Sequence, residues 1–222
     1  MISILFEDNH LIAINKPAGL LVQGDATGDE PLVEIVKRYI KDKYNKPGAV
    51  FLGVVHRLDR PVSGVVVFAR TSKALARMNA LFQKRETKKV YWALLKNAPP
   101  SGKGTLVHWL VKDEARNKTT AYIKENAQGL RSELNYEMVK KVNLMHLVEV
   151  NPITGRPHQI RVQLASMNCP IIGDVKYGYE MPNSDGSICL HARQLSFVHP
   201  VSKVPITITA ELPKNEFWNS FQ

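Results

Sequence analysis

One segment constrains the fold more than any other. His56-Arg57-Leu58-Asp59-Arg60-Pro61 is polar, and it leads into Ser63-Gly64-Val65-Val66-Val67-Phe68-Ala69. β-Branched residues in an unbroken apolar run fit a buried pleated surface, so a buried strand is predicted after Gly64. The polar stretch before it cannot share that environment and is predicted as a loop. Loops mounted on rigid strands are where catalytic groups concentrate.

The remainder reads as short elements of both kinds. Strands are predicted at Ile2–Phe6 and Leu11–Asn15, separated by Asp8-Asn9. Lys16-Pro17-Ala18-Gly19 then breaks the run, because proline lacks a donor and glycine permits a turn. Leu32, Val33, Ile35, Val36, Tyr39 and Ile40 follow the helical period, giving an amphipathic helix that opens near Pro31 and ends before Pro47. A second helix, capped by Thr71 or Ser72, runs to about Lys84 with Leu75, Met78, Leu81 and Phe82 facing the core. Lys89–Leu95 follows as a strand on which Tyr91 and Trp92 point to opposite faces.

The middle is β-rich, with strands predicted at Thr105–Val111, Thr119–Lys124, Arg131–Val139 and Leu144–Val150. A loop from Asn151 to Pro157 enters a helix from His158 to about Met167, with Ile160 and Leu164 inward and Arg161 off that line. Ser187–Ala192, Gln194–Val198 and Pro205–Ala210 complete the strands. There is no internal repeat and no low-complexity linker. A single α+β domain over residues 1–222, with room for two lobes, is expected.

Composition narrows the function. The 222 residues carry 30 Lys plus Arg against 20 Asp plus Glu, a formal charge of +10, with 44% hydrophobic residues. That apolar content supports a sizeable core and excludes a disordered basic tail. No run of 18 apolar residues occurs, which excludes a membrane helix. The N-terminus reaches Glu7-Asp8 too soon for a signal peptide. Cys169 and Cys189 make no disulfide framework and lack a CxxC partner. A soluble, cytoplasmic protein with a polyanion partner is expected. The basic residues cluster around Lys37-Arg38 to Lys46, Lys84-Arg85 with Lys88-Lys89, Lys112 to Lys124, and Lys140-Lys141. Being spread along the chain, they make a single footprint only once folded.

Three segments could carry chemistry. Asp59 sits between Arg57 and Arg60, and a carboxylate so flanked stays ionised near neutrality. The same pattern is also that of an ordinary loop salt bridge. Thr154-Gly155-Arg156-Pro157-His158-Gln159-Ile160-Arg161 gathers polar groups at a helix start, where free N–H groups favour anions. Helix capping with a solvated first turn is the alternative. Tyr91, beside Lys88-Lys89 and Trp92, could stack on a base while the cations meet phosphates, or could simply belong to the core. The seven histidines show no HExxH-like spacing, so no metal is expected. Neither GxGxxG nor GxxxxGK[ST] occurs, and Ser63-Gly64 is not GxSxG.

Together these segments resemble the RluA-like family of RNA pseudouridine synthases. Asn15-Lys16-Pro17-Ala18-Gly19-Leu20 is similar to the family's first motif. His56 to Arg60 followed by Ser63-Gly64 is similar to the second, which holds the catalytic aspartate. Tyr91-Trp92-Ala93 resembles its Tyr-x-Ala strand. Gly155 to Arg161, with Pro170-Ile171-Ile172-Gly173-Asp174 after it, resembles the third. Leu190-His191-Ala192 and Phe197-Val198-His199-Pro200 resemble the closing strands.

The resemblance implies the pseudouridine synthase fold: a mixed, mainly antiparallel sheet flanked by helices and loops, with a catalytic cleft across the middle. It implies isomerisation of uridines in ribosomal or transfer RNA, with neither metal nor organic cofactor. Asp59, Tyr91 and Arg161 would be catalytic. Asp59 acts as nucleophile or as base at the ribose, Arg161 pairs with it, and Tyr91 stacks on the flipped uracil. His56, Arg57, Arg60, Arg156, His158 and Gln159 would bind RNA, with His56 and Arg57 helping to fill the gap left by the base. A monomer is implied, with no obligate protein partner, no membrane, and no RNA-binding domain ahead of the Lys-Pro-Ala-Gly motif at residue 16. The chain departs from the family pattern at Val62, Pro157 and Gln163. Two rivals differ in class. An RNA-binding module without catalysis would be signalled by loss of Asp59, Tyr91 or Arg161. A glycoside hydrolase needs a second carboxylate roughly 5–10 Å away, and none accompanies Asp59 in a recognisable motif.

Overall fold

The computed structural model describes residues 2–221, which divide into two units, 2–88 with 192–211, and 89–191 with 212–221. In the first unit, β1 (Ser3–Glu7) and β2 (Leu11–Lys16) form a hairpin. Its turn is closed by Asp8, whose Oδ1 accepts the backbone N–H groups of His10 and Leu11, both at 2.7 Å. β2 pairs antiparallel with β4 (Ser63–Ala69), the strand expected after Gly64, and every residue of β4 is buried. The sheet continues from β4 to β10 (Leu190–Val198), which pairs with β11 (Pro205–Thr209). A two-residue strand, β3 (Gly53–Val54), pairs with the far end of β4 and was not expected.

The helices follow the sequence pattern closely. α1 (Leu32–Lys43) buries Leu32, Val33, Val36 and Ile40. α2 (Ser72–Gln83) is capped by Thr71, whose hydroxyl accepts the Ala74 N–H at 3.1 Å. Ala74 and Met78 join Leu11, Ala13, Val65, Val67, Phe197 and Ile208 in one core, against which Leu75, Leu81 and Phe82 pack.

The second unit orders its strands β5 (Lys88–Leu95), β9 (Met145–Pro152), β8 (Leu130–Val142), β6 (Lys103–Asp113), β7 (Lys118–Tyr122). All four of its pairings are antiparallel. α3 (Gln159–Ser166) adds Val162 to a small core with Leu110 and Tyr177. Among the described residues no helix is long and apolar enough to cross a membrane.

Three local expectations need correction. The strands expected at Ser187–Ala192 and Gln194–Val198 are one strand, because the Arg193 carbonyl accepts the Ala210 N–H at 2.9 Å and carries the pairing through. Ser187 lies outside it, its N–H held by Asp185 Oδ1 at 2.9 Å. α3 begins at Gln159, since His158 takes a left-handed conformation (φ 55°) and cannot extend the helix. Nor is Arg161 off the buried side, because Gln159 to Leu164 are buried without a break.

Candidate active site

Asp59 lies in the loop between β3 and β4, in the first unit. Leu58 and Val62 bury their side chains on either side of it. The Asp59 carbonyl accepts the Val62 N–H at 3.0 Å, which closes a turn around Arg60-Pro61. The exit into β4 is fixed by Gly64. Its φ is +117°, and a Cβ there would lie 2.3 Å from the Ala192 carbonyl oxygen, so only glycine fits.

The same loop is tied to the turn after β2. Gly19 N donates to Arg60 O at 2.8 Å, and Arg60 Nε returns the bond to Gly19 O at 3.0 Å. The Arg60 guanidinium also meets Asp29 at 2.7 Å on the exposed surface. Beneath this contact Lys16 is fully buried, at 0% exposure. Its ammonium donates to Leu20 O (2.7 Å), Pro17 O (2.9 Å) and Arg60 O (3.2 Å). Burial pulls Lys16 from 10.5 down to about 7, against the opposing attraction of Asp59, while Arg60 pushes the same way as burial. His56 stacks on Phe82 at 5.0 Å, and its Nε2 accepts the Val67 N–H at 3.1 Å. Arg57 is exposed.

Arg161 belongs to the second unit, on α3, and is 5% exposed. Nε and Nη2 bind Asp174 through both carboxylate oxygens, at 2.7 and 2.8 Å. The guanidinium lies 5.1 Å from the centre of the Tyr177 ring. Tyr177 is itself fixed: its hydroxyl accepts the Thr119 N–H at 2.9 Å and bonds His158 Nδ1 at 2.7 Å. Burial pushes its phenol up, which keeps it protonated. The bidentate contact engages one edge of the guanidinium and sets the direction of the other.

The loop before α3 is held by Gln159. The buried Gln159 amide accepts from Thr154 Oγ1 (2.8 Å) and Arg156 N (3.0 Å), and donates to Glu133 O (3.1 Å). Arg156 Nε, by contrast, is buried without a hydrogen-bond partner among the described residues. Tyr91 sits half-buried on β5 opposite Val150 of β9.

The expected residues thus fall into two groups. His56, Arg57, Asp59 and Arg60 share one loop of the first unit, and Tyr91, Arg156, His158, Gln159 and Arg161 belong to the second. Lys16, Asp174 and Tyr177 are polar anchors to which the sequence assigned no role. For Lys16 a signal existed: it is in phase with Ile12 and Ile14 along β2, on a face otherwise wholly apolar. Among the described residues no group of three or more His, Cys, Asp or Glu could hold a metal. Both cysteines are buried and unpaired, and burial pushes the Cys189 thiol up to about 12, far from a reactive thiolate.

Comparison with known proteins adds a second line of observation. A family model described as RNA pseudouridylate synthase matches residues 10–166. The chain is 34% identical over 216 residues to Ribosomal large subunit pseudouridine synthase C of Buchnera aphidicola, covering 94% of this chain and 66% of that protein. It is 31% identical over 236 residues to tRNA pseudouridine synthase C of Vibrio cholerae, covering 98% and 93%. Among solved structures, Human RNA Pseudouridylate Synthase Domain Containing 4 superimposes with a TM-score of 0.80 at 26% identity, covering 96% of this chain and 89% of that one. The chain spans just under two thirds of the length of the ribosomal-subunit relatives, at 66% and 65%.

Proposed function

The chain belongs to the RNA pseudouridylate synthase family, and on that premise we propose that it converts uridine to pseudouridine in structured ribosomal or transfer RNA. The observation that carries this reading is the fixation of the Asp59 loop. Its backbone is bound to the Lys16–Leu20 turn, and its exit needs a glycine against Ala192. A carboxylate on so constrained a loop can be aimed at one atom.

The reaction is an isomerisation. The bond from uracil N1 to the ribose breaks, the base turns, a new bond forms from C5, the C5 proton leaves and N1 gains one. Asp59 is the essential carboxylate at the reacting sugar. Arg161, whose direction Asp174 and the Tyr177 ring set, is the cation that would pair with Asp59 in the reaction. Tyr91 stacks on the uracil and assists proton removal at C5. The target base must leave its stack to be reached, and Arg57 with His56 occupies the gap. Arg156, with a buried Nε awaiting an acceptor, and His158 contact phosphates. Gln159, buried and hydrogen-bonded through both amide atoms, acts on RNA through the loop that it holds. Arg60 screens the loop from phosphate repulsion. The enzyme works in the cytoplasm as a monomer.

Pseudouridine mapping in total RNA, with and without the gene and with the Asp59→Asn variant restored, tests the reading. The variant is expected to form no pseudouridine at the dependent positions while largely retaining RNA affinity. Full activity in Asp59→Asn would sink the mechanism.

A further inference from the structure

α2 ends in a manner that sets an arginine where glycine is usual. Glu86 N donates to Leu81 O at 2.9 Å and Arg85 N to Phe82 O at 3.2 Å, the paired bonds of a Schellman closure. The residue between Lys84 and Glu86 must then adopt a left-handed conformation, and Arg85 does so at φ 60°. An L side chain is disfavoured there relative to glycine. The closure therefore needs no arginine, and another reason for its presence has to be sought.

Arg85 stands on the rim of an open groove of about 380 Å³. One wall is the connection from Arg85 to Lys88, and the floor is the β10–β11 pair. The floor has two characters. Ser196 Oγ and Thr207 Oγ1 lie 3.0 Å apart and present hydroxyls, while Val198 and its partner Pro205 present aliphatic surface on the same face, Val198 being 46% exposed. Lys84, Arg85 and Lys88 are exposed, and none forms an ion pair among the described residues. The one acid in the lining is Glu86. Cations on a rim above hydroxyls and methyl groups match the alternation of phosphate and ribose along a polynucleotide strand.

We propose that this groove holds a stretch of the substrate RNA beyond the target uridine, with Lys84, Arg85 and Lys88 on its phosphates and the β10–β11 floor against its riboses. The assignment rests on the RNA-modifying reading above. The Asp59 loop enters β4 at Gly64, against Ala192 at the start of β10. Ser196 to Val198 lie further along the same strand, roughly 13–20 Å away at about 3.3 Å per residue. One continuous RNA segment can therefore reach both places.

The test is the variant Lys84→Ser, Arg85→Gly, Lys88→Ser, with Arg85→Gly alone as the control for folding. The single variant relieves the left-handed strain, so its melting temperature is expected to hold or rise while its RNA affinity falls; loss of affinity then has no origin in unfolding. In vitro transcribed ribosomal RNA and unmodified transfer RNA serve as probes. For the triple variant, affinity at 0.1 M salt is expected to fall about tenfold or more, and the slope of log K against log salt to flatten by about two to three, as three phosphate contacts require. KM rises and turnover at saturating RNA is retained. An active wild type whose triple variant keeps the same KM and salt slope overturns the groove alone. The same holds if the variant loses binding to phosphatidylserine vesicles but not to RNA, which assigns the groove to a membrane surface. A wild type that makes no pseudouridine in either RNA overturns the functional reading, and this assignment with it.

Discussion

Replacing Lys16 with methionine should remove a pH dependence from the stability of the fold. Lys16 is fully buried and its folded pKa lies at about 7, against 10.5 in water. In that window the unfolded chain holds a proton that the folded chain has released, so stability rises with pH. Below about 7 the ammonium is charged in both states, and its full burial cost weighs on the fold. The gap between the two values corresponds to about 5 kcal/mol, reached only above 10.5, and to about 3 kcal/mol between pH 6 and pH 9. Methionine has a similar length and no titration. It also removes the donor to Pro17 O and Leu20 O, but that loss is the same at every pH. The quantity to measure is therefore the difference in unfolding free energy between wild type and Lys16→Met, by urea titration at pH 6, 7.5 and 9. Other titrating groups cancel in that difference. It should move in favour of the wild type by about 3 kcal/mol across the series. A constant difference would refute the reasoning, since it would mean that the folded chain keeps the proton.

The donors make the same point from another side. An ammonium has three hydrogens for three carbonyls, and a neutral amine has two. The Arg60 carbonyl has the longest of the three contacts and already accepts Gly19 N at 2.8 Å, so it can release Lys16 without being orphaned. Deprotonation therefore leaves the Asp59 loop attached.

Two further outcomes follow from the packing. Gly64→Ala meets both a positive φ of +117° and the Ala192 backbone at 2.3 Å, and should destabilise the fold by about 3 kcal/mol or more in a urea titration. Asp174→Ala removes the buried bidentate carboxylate from Arg161 and should cost about 3 kcal/mol or more, again by urea titration; an unchanged midpoint would show that the other contacts of Arg161 hold it.

The parts legible in the sequence are those whose cause is local. Three valines after a glycine identify β4, Thr71 marks the start of α2, and helical spacing from Leu32 to Ile40 identifies α1. What escaped depends on partners far along the chain. In α3 the polar residues Gln159, Arg161 and Gln163 break the apolar pattern, so the helix reads as half-solvated. It is buried because Gln159 meets Glu133, Arg161 meets Asp174, and Gln163 meets Leu106 and His108. No periodicity argument contains those contacts. β10 was divided at Arg193 for a similar reason: its charge reads as a break, but the guanidinium donates to the Ala210 carbonyl on the neighbouring segment.

The two buried cations also differ in a way that fixes their surroundings. Lysine can lose its proton when desolvated, so three carbonyls and the field of a nearby Asp59 are enough to hold it, at the cost of a lowered pKa. Arginine cannot, because its guanidinium stays protonated in any protein environment. At 5% exposure Arg161 must keep its charge, and only a full carboxylate in matching geometry offsets the desolvation. Asp174, itself 1% exposed, supplies it with both oxygens. The consequence is asymmetric: Arg161 presents a fixed positive charge at every accessible pH, whereas the charge behind the Asp59 loop fades above about 7. Any pH dependence of turnover that originates in a buried cation must then come from Lys16, and it should vanish in Lys16→Met.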